Sequence, residues 1–391
     1  MRYKLRDLFL AGFFLVFILS FSGWAWIKDD QITSELEGRN LAAEPVKDID
    51  EIVSGEYFKK YDDYFNDQFP NRDMWIERNA FVERFVLNKN VIRDVYIHDD
   101  GYLISPVAPA NSSQSVKTVN QKINHFAQEL NQVNIDTYFA LVPNKSTIME
   151  YKLPDYIDSH ANELTDQLLA GFSNEVTAMD FREEIKPHLE EENMYFFTDH
   201  HWKPKASFYA YEKVIETISM KHSEAGKPLD INDFKWEEHR APFYGSEARK
   251  VTSLNVKKVD TVTIVKPKVE TKPLTVCYGG ACDKGFYDMK ILESPDLYMN
   301  RYRAYFSGDV PEGVIKNPNV ENGLKVLILK DSYANAMIQF VSQNFEETRF
   351  LDLRKHKNLD VKAYAVDHDI DMVLFIHNIN SIVTTPQFIQ L

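Results

Sequence analysis

Three short runs in this chain are apolar at nearly every position: DTYFALVP (136–143), LKVLILK (324–330) and DMVLFIHN (371–378). A run that short and that apolar suits a strand buried on both faces. NEVTAMDF (174–181) and TRFLDLR (348–354) read as further strands. Helical spacing lies between them, at 114–133, 162–175, 204–220, 333–345 and 359–366. Strands alternating with helices imply an α/β fold with a mostly parallel sheet and helices on both faces. Ligands of such sheets bind at the carboxyl ends of the strands. One stretch breaks the rhythm: about 235–320 holds VDTVTIVKPKVETKPLTV, β-branched, alternating and punctuated by proline, which reads as a β-rich insertion.

From Leu8 to Ile27 no residue is charged. Twenty helical residues, at about 1.5 Å each, span a hydrocarbon core of about 30 Å. Arg2, Lys4 and Arg6 precede the run, and Trp24 and Trp26 stand where an interfacial aromatic belt would. Residues 1–27 therefore read as a cytoplasmic tip and a transmembrane signal anchor, with everything after Ile27 extracytoplasmic. A cleaved signal peptide is the competing reading, but the run is long and IKDDQ offers no A-x-A-like site. Residues 28–50 read as a polar stalk, and 51–391 as the catalytic domain. Between 51 and 90 the aromatic spacing (Tyr57, Phe58, Tyr61, Tyr64, Phe65, then Trp75, Phe81 and Phe85) predicts helices with a buried face, broken at Pro70. VIRDVYIHDDGYLISP (91–106) predicts strand, turn, strand.

At 391 residues the chain has room for two or three domains, and 44% apolar with 13% aromatic content excludes global disorder. The net charge is −14; the first 27 residues carry +2, so the rest carries −16. Such a body repels nucleic acid, and no nucleic-acid partner is expected. The two cysteines, Cys277 and Cys282, are too few for a structural zinc site. Outside the cytoplasm they are permitted a small disulfide loop, and reduced thiols fit equally well.

Two stretches carry chemistry. In FFTDHHWKPKASFYAY an acid and two imidazoles sit between an aromatic strand end and a helix opened by Pro204. In LKVLILKDSYANAMIQF a buried strand runs into Lys330-Asp331-Ser332 and a turn. That geometry exposes the Ser332 hydroxyl and leaves backbone N–H groups free for an anion. Alone, Ser332 is an ordinary helix cap. Paired with an Asp/His couple it becomes a nucleophile, because a serine hydroxyl needs an imidazole to take its proton and a carboxylate to orient that imidazole. Asp199, His200 and His201 could also ligate a metal, but adjacent His side chains on a short loop rarely converge on one ion, and no metal or cofactor is expected.

The DHHW string, the later strand-K-D-S-Y-A-N-A turn and FLDLR resemble the DHHW protein family, which is similar to the SGNH-hydrolase-like domains of bacterial alginate O-acetyltransferases. YDDYFNDQFPNR, DGYLISP and LVPNKSTIMEYKLP extend the resemblance over roughly 55–380. It implies an SGNH-like α/β/α sandwich in permuted order, with the Asp-x-His-Trp element before the serine. Carried onto this chain, it assigns Asp199 as orienting acid, His201 as base and Ser332 as nucleophile. His200 becomes a residue that supports the triad from behind or touches the substrate, and Trp202 a cleft wall or core residue. The family's relatives usually have glycine where Lys330 stands. The usual Gly-x-Asn-Asp oxyanion element is not visible, which leaves the Ser332 N–H, with Asn378 as a further candidate donor. Asn335 and Lys145 are weaker candidates.

The function so implied is O-acetylation of a cell-surface or secreted polysaccharide by a single-pass protein of the bacterial cell membrane. The acetyl group would come from a membrane-bound O-acyltransferase partner. Carbohydrate acetylesterase activity, or non-catalytic glycan binding and assembly, are the alternatives.

Overall fold

The computed structural model describes residues 2–107, 112–190, 192–269 and 271–384; the side chains of residues 2, 3, 21, 22, 25, 26 and 283 also lie outside the description. The chain divides into two units, residues 1–89 with 249–255, and residues 90–248 with 256–391.

In the first unit the apolar run is helical, as part of one helix over Arg2–Ile27. Its described apolar side chains are exposed. Trp26, expected in the aromatic belt, lies outside the described side chains. Among the described residues no helix is long and apolar enough to cross a membrane. After it, a two-stranded ribbon, Thr33–Ser34 with Arg39–Asn40, is tied to the Glu56–Asp67 helix. The Arg39 guanidinium donates to both Asp67 oxygens (2.7 and 2.5 Å), the fork geometry that makes Arg–carboxylate pairs strong. The chain then turns at Pro70 into the Arg72–Phe81 helix. The aromatic stripe expected to be core is open instead: Phe58 is 61% exposed and Phe85 58%. Helical spacing specifies that these rings share a face, not that anything in the chain covers it.

The second unit is built on an eight-stranded sheet. In chain order its strands are β1 (Asp136–Val142), β2 (Val176–Asp180), β3 (Thr275–Tyr278), β4 (Ala281–Lys284), β5 (Glu312–Lys316), β6 (Lys325–Lys330), β7 (Glu347–Leu351) and β8 (Met372–Asn378). Across the sheet they lie β4-β3-β5-β7-β6-β8-β1-β2. The five strands read from the sequence are the parallel ones, with Val326 opposite both Thr348 and Met372. β3, β4 and β5 extend the sheet antiparallel on one side. The stretch read as a β-rich insertion thus divides between this extension and a separate hairpin, Phe234–Glu238 with Thr263–Pro267. Cys277 and Cys282 are disulfide-bonded across the β3–β4 turn. The 91–106 stretch makes three short antiparallel strands rather than two.

Side chains of the central strands alternate between two cores, as the two-residue period of a strand requires. Val326, Ile328, Leu374 and Ile376 face one core, together with Phe208 and Val214 of the Pro204–Ser219 helix. Leu327, Leu329, Val373 and Phe375 face the other, covered by the Ser112–Asn131, Ala161–Ala170, Val361–Asp367 and Ile379–Thr384 helices. The sheet is therefore clad on both faces. The carboxyl ends of β6, β8 and β1 lie side by side, and Ser332, Asn378 and Asn144 sit at or just beyond them.

The expected 333–345 helix is instead a tight 3-10 turn, Ser332–Ala336, followed by a short helix, Ile338–Val341. The early carbonyls are claimed from outside. Tyr302 OH donates to Ser332 O (3.0 Å), and the Trp202 indole N–H to Tyr333 O (2.9 Å).

Candidate active site

β6 delivers the serine. The Asp331 carboxylate closes the turn by accepting the Tyr333 N–H (2.9 Å), the Asn378 N–H (2.8 Å), the Asn378 side-chain amide (2.6 Å) and the Ser381 hydroxyl (2.6 Å). It is a structural clamp. Lys330, in the position where glycine was expected, is wholly buried beneath the turn. It donates to Asn335 (2.8 Å) and lies 3.5 Å from Asp309, which also pairs with Arg354 (2.9 Å). Burial alone would raise the Asp309 carboxyl, but Lys330 and Arg354 outweigh it and hold it at about 2. Burial pushes the Lys330 ammonium down, against the pull of Asp309. Asn335 is occupied by this network.

A second segment delivers the base. Tyr195 and Trp202 pair across a tight antiparallel bridge, with Thr198–His201 at its tip. The buried Asp260 carboxylate holds the approach, accepting the N–H groups of Phe197 (2.8 Å) and Thr198 (2.7 Å) and the Thr198 hydroxyl (2.5 Å). Thr198 in turn accepts the Gly245 N–H (2.9 Å) at its hydroxyl. Gly245 lies so close to Asp199 that a Cβ there would overlap the Asp199 Cβ and press on its backbone.

The two segments meet, although 131 residues separate them: His201 Nε2 is 2.7 Å from Ser332 Oγ. On the far side of the ring, Nδ1 is 2.6 Å from Asp199 Oδ1. The other Asp199 oxygen accepts the Ser246 N–H (2.9 Å). Burial opposes ionisation of Asp199, but His201 beside it and the Ser246 N–H outweigh it and hold the carboxyl well below the usual range. Tyr302 lies flat against the His201 ring, 3.6 Å between centroids and 6° between planes. Burial keeps its hydroxyl protonated. The serine is half-buried and reachable from solvent, and its N–H has no partner among the described residues. An imidazole so oriented can take the hydroxyl proton, and the free N–H can stabilise an oxyanion.

The other sequence candidates fall elsewhere. The Asn378 side-chain nitrogen donates to Asp331 (2.6 Å) and to Ser381 (3.1 Å), which ties the amide to the clamp at the strand ends. Trp202 is fully buried and braces the turn rather than walling the cleft. Lys145 forms a buried ion pair with Glu247 (2.5 Å) and donates to Leu103 O (2.8 Å). His200 keeps 42% of its side chain exposed beside His201, and its Nδ1 is 2.6 Å from Ser246 Oγ. Donor atoms of Asp199, His200 and His201 lie within 4.8 Å of one another, but both His201 nitrogens and both Asp199 oxygens are already committed. Gly245, Ser246, Asp260 and Tyr302 escaped the sequence reading. No motif marks them; Tyr302, from a tyrosine-rich stretch, is buried against the base.

Residues 171–351 match the DHHW protein family. The resemblance drawn from the motifs is thereby shown for that segment, which contains both the DHHW string and Ser332. Bacillus cereus PatB1, solved with a sulfonyl adduct, is 27% identical; the alignment covers 75% of this chain and 96% of PatB1, with a TM-score of 0.64. A DHHW family protein from Eubacterium siraeum is 23% identical over 76% of this chain and 94% of its own, with a TM-score of 0.60, and shares the fold. The O-acetyltransferase domain of Pseudomonas putida AlgJ aligns at 14% identity over 74% of this chain and 92% of its own, with a TM-score of 0.48. The chain matches no curated protein.

Proposed function

We propose that this protein transfers acetyl groups to a cell-surface or secreted polysaccharide, through Ser332 as nucleophile, His201 as general base and Asp199 as the acid that orients it. The observation that carries the reading is the unbroken relay from Asp199 through His201 to Ser332, with contacts of 2.6 and 2.7 Å. Its likeness to PatB1, which takes a sulfonyl adduct, supports an activated nucleophile in this fold. In the first half-reaction Ser332 Oγ loses its proton to His201 and bonds to the acetyl carbon; the leaving group departs with that proton. In the second, a sugar hydroxyl gives its proton to His201 and takes the acetyl group, and Ser332 recovers its hydrogen. The Ser332 N–H stabilises the oxyanion in both.

The uncharged run from Leu8 to Ile27 supports a single-pass anchor, with the catalytic unit extracytoplasmic in the bacterial cell membrane. The acetyl group then has to cross that membrane, which calls for a membrane-bound O-acyltransferase partner as donor. The test incubates the purified chain with a chromogenic acetyl ester, with and without oligosaccharide. Acetylated sugar by mass spectrometry supports transfer. Acetate alone makes the protein an esterase, and no turnover of the ester, with unchanged surface acetylation in Ser332→Ala cells, leaves a glycan-binding or assembly protein.

A further inference from the structure

One polar group at the cleft has no role in the relay. His200 stands beside His201, ring centroids 3.8 Å apart, yet the two imidazoles differ in what they touch. His201 is 5% exposed and spends both nitrogens on Asp199 and Ser332. His200 is 42% exposed, and its Nε2 has no partner among the described residues. The ring is nonetheless fixed. Its Nδ1 is held by Ser246 Oγ (2.6 Å), and its carbonyl accepts the Tyr333 hydroxyl (2.7 Å). Desolvation of the ring packed on His201 pushes the His200 imidazole below its usual range and keeps it neutral. A fixed, neutral, unpartnered imidazole nitrogen on a half-exposed ring stacked against the general base is a hydrogen-bonding group open to something that reaches the site.

We propose that His200 Nε2 binds the acceptor, holding a hydroxyl adjacent to the one that attacks, with Ser246 as the positioning residue that sets the ring. The inference rests on the acetyl-serine reading. In the transfer step the attacking hydroxyl gives its proton to His201 Nε2, its oxygen bonds to the acetyl carbon, the bond from that carbon to Ser332 Oγ breaks, and Ser332 regains the proton from His201. His200 moves no proton; it holds the neighbouring hydroxyl and so places the attacking one. Water can take the attacking position but has no second hydroxyl to be held. His200 therefore favours vicinal diols, the pattern of a sugar ring, over water and simple alcohols. Ser246 couples the two halves of the site, because its N–H holds Asp199 while its Oγ holds His200.

The experiment gives the full chain 4-nitrophenyl acetate as donor and compares 1,2-ethanediol with ethanol as competing acceptors, following each acetate ester by gas chromatography. The wild-type protein favours the diol by about tenfold per molecule, the worth of one well-placed hydrogen bond. His200→Ala removes the preference. Ser246→Ala, which keeps the backbone N–H on Asp199, reduces it by about threefold. A wild-type protein without diol preference, or a preference unchanged in His200→Ala, overturns the inference. So does a parallel loss of diol transfer, ethanol transfer and hydrolysis in both variants, which is the signature of a merely structural role. Failure of the wild-type protein to release nitrophenol at all is a different result, and it falls on the acetyl-serine reading itself.

Discussion

The nucleophile and the base ride on two pieces of chain held in different ways. Ser332 follows a central strand whose residues 326–329 are fully buried, between two parallel neighbours, and the turn after it is closed locally by Asp331. The Thr198–His201 tip belongs to no sheet of its own. It is carried by one bridge pair and by polar clamps that come from about fifty to sixty residues downstream, Asp260, Gly245 and Ser246. The strand sets the nucleophile through the fold itself, whereas the clamps set the base through a handful of individual hydrogen bonds. The base side is therefore where small changes do most damage without unfolding the protein.

The largest effect tests the meeting point of the two. Ser332→Ala is expected to lower acetyl-ester turnover by about 10⁵–10⁶-fold, with an unchanged melting temperature. A residual rate near wild type would separate the strand turn from the chemistry. Asp199→Asn comes next, at about 10⁴-fold, because the amide favours the wrong His201 tautomer. It also probes the clamp. The depressed Asp199 carboxyl contributes stability that is fully present above the unfolded value of about 3.9 and lost as pH falls through the lower folded value. Urea midpoints of wild type and Asp199→Asn should therefore differ by a constant amount above about pH 5 and converge in strong acid.

Gly245→Ala sharpens the contrast further. Its new Cβ must displace Asp199, and a shift of about 1 Å is expected to reduce turnover by about 10²-fold. The expected loss of stability is about 1–3 kcal/mol, read by urea denaturation. If turnover holds while stability falls, the clamp does not set the base. Cys277→Ser should have the least effect on chemistry. The bond closes a short loop at the far antiparallel edge of the sheet, so turnover changes by at most about twofold, while stability falls by about 2 kcal/mol.

The same contrast explains what could be read from the residues alone. LKVLILK and DMVLFIHN declare themselves because burial on both faces demands continuous apolar character, and their boundaries followed closely. Asp199, His201 and Ser332 were legible because an acid, two imidazoles and a post-strand serine stand in two short strings, and the DHHW resemblance assigned their roles. Gly245, Ser246, Asp260 and Tyr302 were not. Each acts through one backbone or ring contact with a residue far away in sequence, and such a contact leaves no period and no spacing. Asn378 stands at the expected strand end, but its tie to Asp331 is a side-chain contact across 47 residues that no motif announces. The aromatic stripe at 57–85 misled because periodicity identifies a shared face and says nothing of what covers it.

The central claim is that His201 deprotonates Ser332. Its most direct test is the rate at which a sulfonyl fluoride labels the full chain across pH, with the modified residue mapped by peptide mass spectrometry. A single adduct on Ser332, formed at least about 10²-fold more slowly in His201→Ala, is the predicted result. Labelling of Ser332 at equal rates in both proteins, or an adduct on another residue, would contradict it.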